Sequence, residues 1–328
     1  MRWLARWEVF LLVILIATFF VGSEVSKWFL TVSNITIALQ AVAPVALLAL
    51  PMTLIIVTGE IDISVGSMVG LCAASIAVFL ELGVPIEFAL VGAVIVGLAA
   101  GAFNGLVIAY GMLPSLVVTI GTLALYRGIA QIILEQRGIS NFPGWYQSIG
   151  FGTIPGMPIP WSSLIFLVCF AGFAIYLHWT RWGRALYAIG NNREAARYSA
   201  INVKRALLGC FIASGAMASL AAIVLTAYLA SARSDTGNGL ELNVITAVVL
   251  GGVNIFGGSG TMPGVLVALL VLAFAQNTLG LAGVTPEQQQ IATGAILVVT
   301  LVIFSSADFY KRLKEATSRF RLTSGARS

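Results

Sequence analysis

The chain has 328 residues, 59% of them hydrophobic and 9% charged, with a formal net charge of +5. Soluble domains carry about 25% charged residues, so a water-soluble fold is excluded and the class is a polytopic membrane protein. The positive balance belongs to the membrane faces; with no stacking motif beside it, nucleic acid is not expected as a partner.

Ten segments are apolar enough, or nearly so, to cross roughly 30 Å of hydrocarbon. They are 5–23, 36–57, 63–81, 87–109, 114–134, 161–178, 206–230, 241–257, 263–282 and 287–304. The expectation is an all-α integral membrane protein of about ten transmembrane helices, folded as a single transmembrane domain over 1–328. Arg2, Arg6 and the apolar run Val9 to Val21 have the form of a signal peptide, but no A-x-A site follows. This stretch is read as an uncleaved first span, anchored at the interface by Trp3 and Trp7.

In the second span Pro44 and Pro51 predict a kink. The turn after it, Thr58-Gly-Glu-Ile-Asp-Ile-Ser-Val-Gly-Ser67, holds Gly59, Asp62, Ser64 and Gly66. Two carboxylates there admit an ion-coupling role, but Asp62 and Ser64 stand just before an apolar helix, where a side-chain oxygen satisfies an orphan N–H. Capping and a tight inter-span turn are the favoured reading. The fourth span carries Gly97, Gly101 and Gly105, a small-xxx-small face for close helix contact.

Polar residues inside spans are Asn104, Thr119, Thr122, Gln131, Gln276 and Asn277. Each is a candidate for lining a solute path or for bonding one helix to another. Arg127 is the one cation well inside a span, where a charge costs about 2.5–3.5 kcal/mol to insert; it can snorkel outward, pair with Glu135 or contact solute, and structural pairing ranks first. From Glu135 to Pro160 the density of Gly and Pro forbids a long helix. Phe142, Trp145, Tyr146 and Trp161 point to a segment lying on the outer membrane face.

The loop 179–205 holds six of the 18 lysines and arginines. Asn191 or Asn192 caps a short helix with Glu194 in its first turn, and Gly183 and Gly190 set it apart from the preceding stretch. Composition leaves open whether this is a docking element or only a solvated loop. His178 sits at its start as an interfacial residue. Near the C-terminus, Gly252, Gly257 and Gly258 lie in a run that resembles a phosphate loop but lacks the following Lys, so a turn between spans is expected. It echoes the Gly59–Ser67 turn. Cys72, Cys169 and Cys210 have no CxxC spacing, and neither a metal site nor a catalytic set is expected. With the N-terminus inside, 14 of the 18 basic residues fall on the inner side, counting the basic tail 305–328. Both termini and the basic loop are therefore expected in the cytoplasm.

Four stretches, in order, carry a family resemblance: Gly59–Ser67, Thr119-Ile-Gly-Thr-Leu-Ala-Leu-Tyr-Arg-Gly128, Gly190-Asn-Asn-Arg-Glu-Ala-Ala-Arg-Tyr-Ser-Ala-Ile201 and Ala247–Gly260. Together they resemble the permease subunits of bacterial monosaccharide ABC importers of the ribose, xylose and rhamnose type, over roughly 43–303. Glu60 stands where the family usually has a second glycine. Leu50-Pro-Met-Thr53, Gly70-Leu-Cys-Ala73 and Ser231-Ala-Arg-Ser-Asp235 look most like permeases for rhamnose and autoinducer-2. The resemblance implies the inner membrane, a second permease chain in a heterodimer, a periplasmic solute-binding protein, and a cytoplasmic ATPase that supplies ATP and Mg, with no cofactor on this chain. It also implies that Asn191, Asn192, Arg193, Glu194, Ala195, Ala196, Arg197 and Ile201 form the helix that engages the ATPase. The 135–160 and 231–240 segments would meet the binding protein. The competing expectation is an ion-coupled secondary transporter, which buried ionisable relays would favour; the spans hold almost none.

Overall fold

The computed structural model describes residues 7–135 and 137–302. The basic tail and the end of the last expected span lie outside the described residues. The chain forms helices α1 (Trp7–Val25), α2 (Val32–Val57), α3 (Val65–Glu81), α4 (Ile86–Ala109), α5 (Ser115–Leu134), α6 (Gly144–Phe151), α7 (Trp161–Trp179), α8 (Arg181–Asn191), α9 (Arg193–Tyr198), α10 (Val203–Leu229), α11 (Leu240–Leu250) and α12 (Met262–Leu281). A further helix, α13, covers 286–302. Only isolated bridges, Ile139 with Ala232 and Thr153 with Pro160, break the helical pattern among the described residues.

Among the described residues, seven helices are long and apolar enough to cross a membrane: α1, α2, α4, α5, α7, α10 and α12. The third and eighth expected spans are shorter. At 1.5 Å per residue, the 17 residues of α3 reach about 25 Å, and the 11 of α11 about 16 Å, half the hydrocarbon. The chain enters α11 through 233–239, which lies against α3: a Cβ at Gly237 would stand 2.6 Å from the Gly66 carbonyl. The segment read as a full crossing over 241–257 is therefore a half-length helix between two irregular stretches.

α2 is buried almost throughout and forms the axis, contacting α7, α10, α11 and α12. At the other extreme, α1 packs on α12 and turns Val13, Ile16 and Phe20 outward, the pattern of a helix facing lipid. The glycine face of α4 meets α10. A Cβ at Gly101 would stand 2.3 Å from the Phe211 carbonyl, and one at Gly97 2.5 Å from that of Gly215. Such spacing lets two backbones touch where lipid offers no hydrophobic drive for association.

The elements sort to two ends. One end, the basic end, gathers the 58–64 and 251–261 turns, α8, α9 and the start of α1, where Trp7 Nε1 donates to the Leu250 carbonyl at 2.7 Å and Thr261 Oγ1 to Glu8 Oε1 at 3.1 Å. The far end gathers 135–160, the Ile139–Ala232 bridge and the 82–85 turn, tied by Arg137 to Glu81 at 3.3 Å. The 135–160 segment is folded inward rather than laid flat. Its short helix α6 buries Tyr146, whose hydroxyl donates to the Ile223 carbonyl at 2.9 Å, and Phe142 is buried beside it. Trp145 and Trp161 remain exposed.

The echo between the two glycine turns has a hydrogen-bond basis. After α2, Gly59 N donates to Ile56 O and Glu60 N to Ile55 O, with Gly59 at φ 79°. After α11, Gly252 N donates to Val249 O and Val253 N to Val248 O, with Gly252 at φ 87°. Both are Schellman closures, in which the left-handed residue is glycine because it carries no Cβ penalty.

Candidate functional site

The basic loop folds as two helices, not one. α8 is amphipathic and buries Gly183, Leu186 and Ile189. Asn192 then adopts extended backbone, and its side chain accepts from Glu194 N at 3.0 Å and Ala195 N at 2.9 Å. Asn192 is thus the cap of α9, while Asn191 belongs to α8. Gly183 and Gly190 do not separate elements but let α8 approach its neighbours: a Cβ at Gly190 would fall 2.0 Å from the Val57 carbonyl.

α9 is short and two-faced. Ala196 is buried with Ala109, Ile189, Val203 and Leu207, with Ile201 packed against them. Glu194, Ala195, Arg197 and Tyr198 are exposed, Tyr198 at 88%. Of the eight residues expected to engage a partner, Ala196 and Ile201 hold the helix down, and the others form its outer face or its foot.

That foot stands on both glycine turns. Asn191 Nδ2 donates to the Tyr187 carbonyl at 2.8 Å and to the Gly258 carbonyl at 3.3 Å. Gly258 N donates to the Val57 carbonyl at 2.9 Å. Tyr187 hydroxyl donates to the Gly260 carbonyl at 2.7 Å, and burial raises the Tyr187 pKa. Arg193 pairs with Glu60, which is nearly buried. Two turns, whose closing glycines Gly59 and Gly252 stand 193 positions apart, and the loop between them thus form one knot under α9.

Beyond Glu60 runs a non-helical bracket, 60–64, in which most residues are tied to a different helix. Ile61 N donates to Ser115 Oγ of α5 at 3.1 Å. Asp62 is fully buried. It accepts from Ser64 N at 3.0 Å and Ser64 Oγ at 2.6 Å, and from Ser214 Oγ of α10 at 2.8 Å. Ser64 Oγ accepts from Asn104 Nδ2 of α4 at 2.8 Å, and the Tyr126 hydroxyl of α5 donates to Asn104 Oδ1 at 3.0 Å. Burial raises the Asp62 pKa, and the bonds from Ser64 and Ser214 lower it in part. The expected helix capping is not seen: Ser64, the N-cap of α3, makes no cap hydrogen bond, and Asp62 instead closes the turn by accepting from the Ser64 N–H. Gly66 in α3 packs against Glu241, where a Cβ would meet Oε2 at 2.2 Å.

The candidate path residues are largely spoken for. Asn104 lies in the Asp62 network. Thr119 and Thr122 are buried and make only long hydroxyl contacts of 3.4–3.5 Å to backbone carbonyls. Asn277 forms a closed amide pair with Asn34, at 2.8 and 3.0 Å, and Gln276 donates toward Asn243 and Thr293. Arg127 is bound not by Glu135 but by backbone: its Nη1 donates to the Ser234 and Thr236 carbonyls, each at 3.0 Å. Glu135 faces Arg137 instead. Gln131 alone of the set borders the far-end cavity of about 540 Å³, with Glu135, Arg233, Ser234 and Asp235. His178 does local work: its Nε2 accepts from Met262 N at 3.1 Å, the first helical N–H of α12. Glu60 was named from sequence only as a departure from the family's second glycine, not as an ion-pair partner, and Tyr187 was not singled out, although it sits inside the basic loop. No group of three or more His, Cys, Asp or Glu suited to a metal occurs among the described residues.

Long apolar helices, with a short exposed helix and a knot of turns at one end, make the chain a multi-pass membrane protein. The family profile described as "Branched-chain amino acid transport system / permease component" matches residues 34–301, and the chain belongs to that family. It is the transmembrane subunit of an ABC importer and a multi-pass inner-membrane protein, and such a subunit works with an ATPase and a solute-binding protein. Among curated relatives, the autoinducer 2 import system permease protein LsrD of Escherichia coli O9:H4 (strain HS), of Escherichia coli (strain K12) and of Shigella flexneri are each 34% identical over 319 residues. The match covers 95% of this chain and 96% of each relative. No solved structure matches it.

Proposed function

We propose that α9 is the element on which the partner ATPase bears, and that the chain passes a small hydroxylated solute of the autoinducer-2 or rhamnose class inward. The observation that carries this is the exposure of Glu194, Arg197 and Tyr198 on a helix whose buried face and foot are fixed to the 58–64 bracket and the 254–260 turn. ATP and Mg act on the partner subunit, and this chain contributes no catalytic group. A second, different permease chain completes the pathway, and both termini lie in the cytoplasm with α9. Alternating access follows when the ATPase pair closes and displaces α9.

The test uses the importer purified as it assembles in its host membrane and reconstituted in liposomes, with autoinducer-2 and L-rhamnose as probes. Glu194→Lys is expected to keep ATP hydrolysis while uptake per ATP falls about tenfold. Uptake by this chain without any ATPase would replace the proposal with ion-coupled transport.

A further inference from the structure

Three other ion pairs occur among the described residues: Arg137 with Glu81, Arg137 with Glu135, and Arg233 with Asp235. Their carboxylates are 38–74% exposed. Glu60 is different. Its side chain is 9% exposed, and its partner Arg193 is the first residue of α9. A carboxylate withdrawn from water and then deprived of its cation keeps the desolvation penalty with nothing to offset it. The pair therefore resists being pulled apart more than an exposed pair would. The other attachments of α9 are softer: an apolar cluster around Ala196, which tolerates sliding, and Asn191 at 3.3 Å from the Gly258 carbonyl.

Glu60 is also where α9 meets the bracket. The next residues lead to α5 through Ser115, to α10 through Ser214 and to α4 through Asn104. Beside the pair lies a cavity of about 320 Å³ bordered by Glu60, Met112, Pro114, Arg193, Arg197 and Lys204. This gives α9 room to shift toward the α4–α5 turn without opening a close-packed core. We infer that the Glu60–Arg193 ion pair is the mechanical link through which a displacement of α9 reaches the 60–64 bracket, and through it α4, α5 and α10. This rests on the reading of α9 as the ATPase-facing element. Both residues are positioning residues.

The experiment uses the purified importer with Cys169→Ser as background, Tyr198→Cys to report contact with the ATPase by cross-linking, and Ile132→Cys on the far half of α5 to report movement. Ile132 is 80% exposed, so its maleimide labelling rate can be compared with and without ATP plus vanadate. The parent is expected to cross-link at 198 and to change its labelling rate at 132 about tenfold. Glu60→Gln and Arg193→Gln are expected to cross-link as the parent does yet lose most of that change. The exchanged pair Glu60→Arg with Arg193→Glu is expected to regain it, as is Arg193→Lys in part. Normal labelling changes in both single variants would overturn the link, as would an exchanged pair no better than the singles, or a parent that cross-links without any change at 132. Absence of cross-linking in the parent would instead remove the reading of α9, and this link with it.

Discussion

Asp62 is a fully buried carboxylate whose partners are hydroxyls and one N–H, so its state depends on a few donors. Removing a donor leaves an acceptor buried and unpaired, at about 1–3 kcal/mol. Ser214→Ala should therefore lower the thermal unfolding midpoint in detergent clearly. Thr122→Val should leave it almost unmoved, because the Thr122 hydroxyl makes only a 3.4 Å contact. Equal midpoints for the two variants would contradict the network. The same scale shows what a sequence can carry. A cap at Asn191 or Asn192 was readable because the partners lie close in sequence; it is Asn192, whose partners Glu194 and Ala195 lie two and three residues on. The pairing of Glu60 was not readable, because Arg193 is 133 positions away. The Asn34–Asn277 pair, 243 positions apart, was hidden for the same reason. A polar residue in a span announces that it needs a partner, but period and spacing cannot say which.

Among elements, the α4–α10 contact is the tightest to test. Gly101→Leu places a branched side chain where the Phe211 carbonyl and the Gly215 backbone already stand within 2.3–3.0 Å of the new Cβ. Since these groups are backbone, the helices must part, and membrane-inserted, monodisperse protein should fall several-fold. A Cβ at Gly172 on α7 meets nothing within 4 Å, so Gly172→Leu should be recovered at parental yield by size-exclusion chromatography. The small-residue series in α4 was legible as a packing face, since a four-residue spacing stacks on one side of a helix; that α10 supplies the partner was not. The basic loop divides in the same way. Its helix-forming character was clear, but the Asn191–Asn192 junction splits it, because Asn192 trades helical backbone for a cap. A consequence follows for α9. Ala196→Arg forces a cation among Ala109, Ile189, Val203 and Leu207, so it should unseat α9 and expose it to proteolysis. Glu194→Lys changes only the outer face and should leave the protease pattern intact.

For the whole molecule, the sorting of turns to two ends turns a charge count into geometry. Hydropathy located the spans within a few residues wherever a helix was long, as for α2, α4 and α5. It failed at α11, because an apolar stretch interrupted by glycine carries the same hydropathy whether it continues as helix or closes after 11 residues. The Schellman closure at Gly252 ends α11 early, and the 233–239 stretch that leads into it packs on α3 and is held by Arg127 through two carbonyls. Within a bilayer, backbone outside a helix is tolerated only where protein satisfies it, and Arg127 satisfies two of these carbonyls. The excess of basic residues at the α8–α9 end predicts a cytoplasmic position for that end. The half-length α11 does not reverse this, since the knot fixes the 251–261 turn beside α9 whatever path leads to it. Single cysteines at Tyr198 and Met157, 88% and 56% exposed, separate the alternatives. Cys72 and Cys210 are buried, so replacing Cys169 leaves a quiet background. In spheroplasts, a membrane-impermeant maleimide should label position 157 and spare position 198 until the membrane is opened. Labelling at 198 from outside would invert the topology and detach α9 from any cytoplasmic ATPase, while labelling of neither would mean that the 135–160 segment is covered in the assembled importer, a result that opening the membrane would not change.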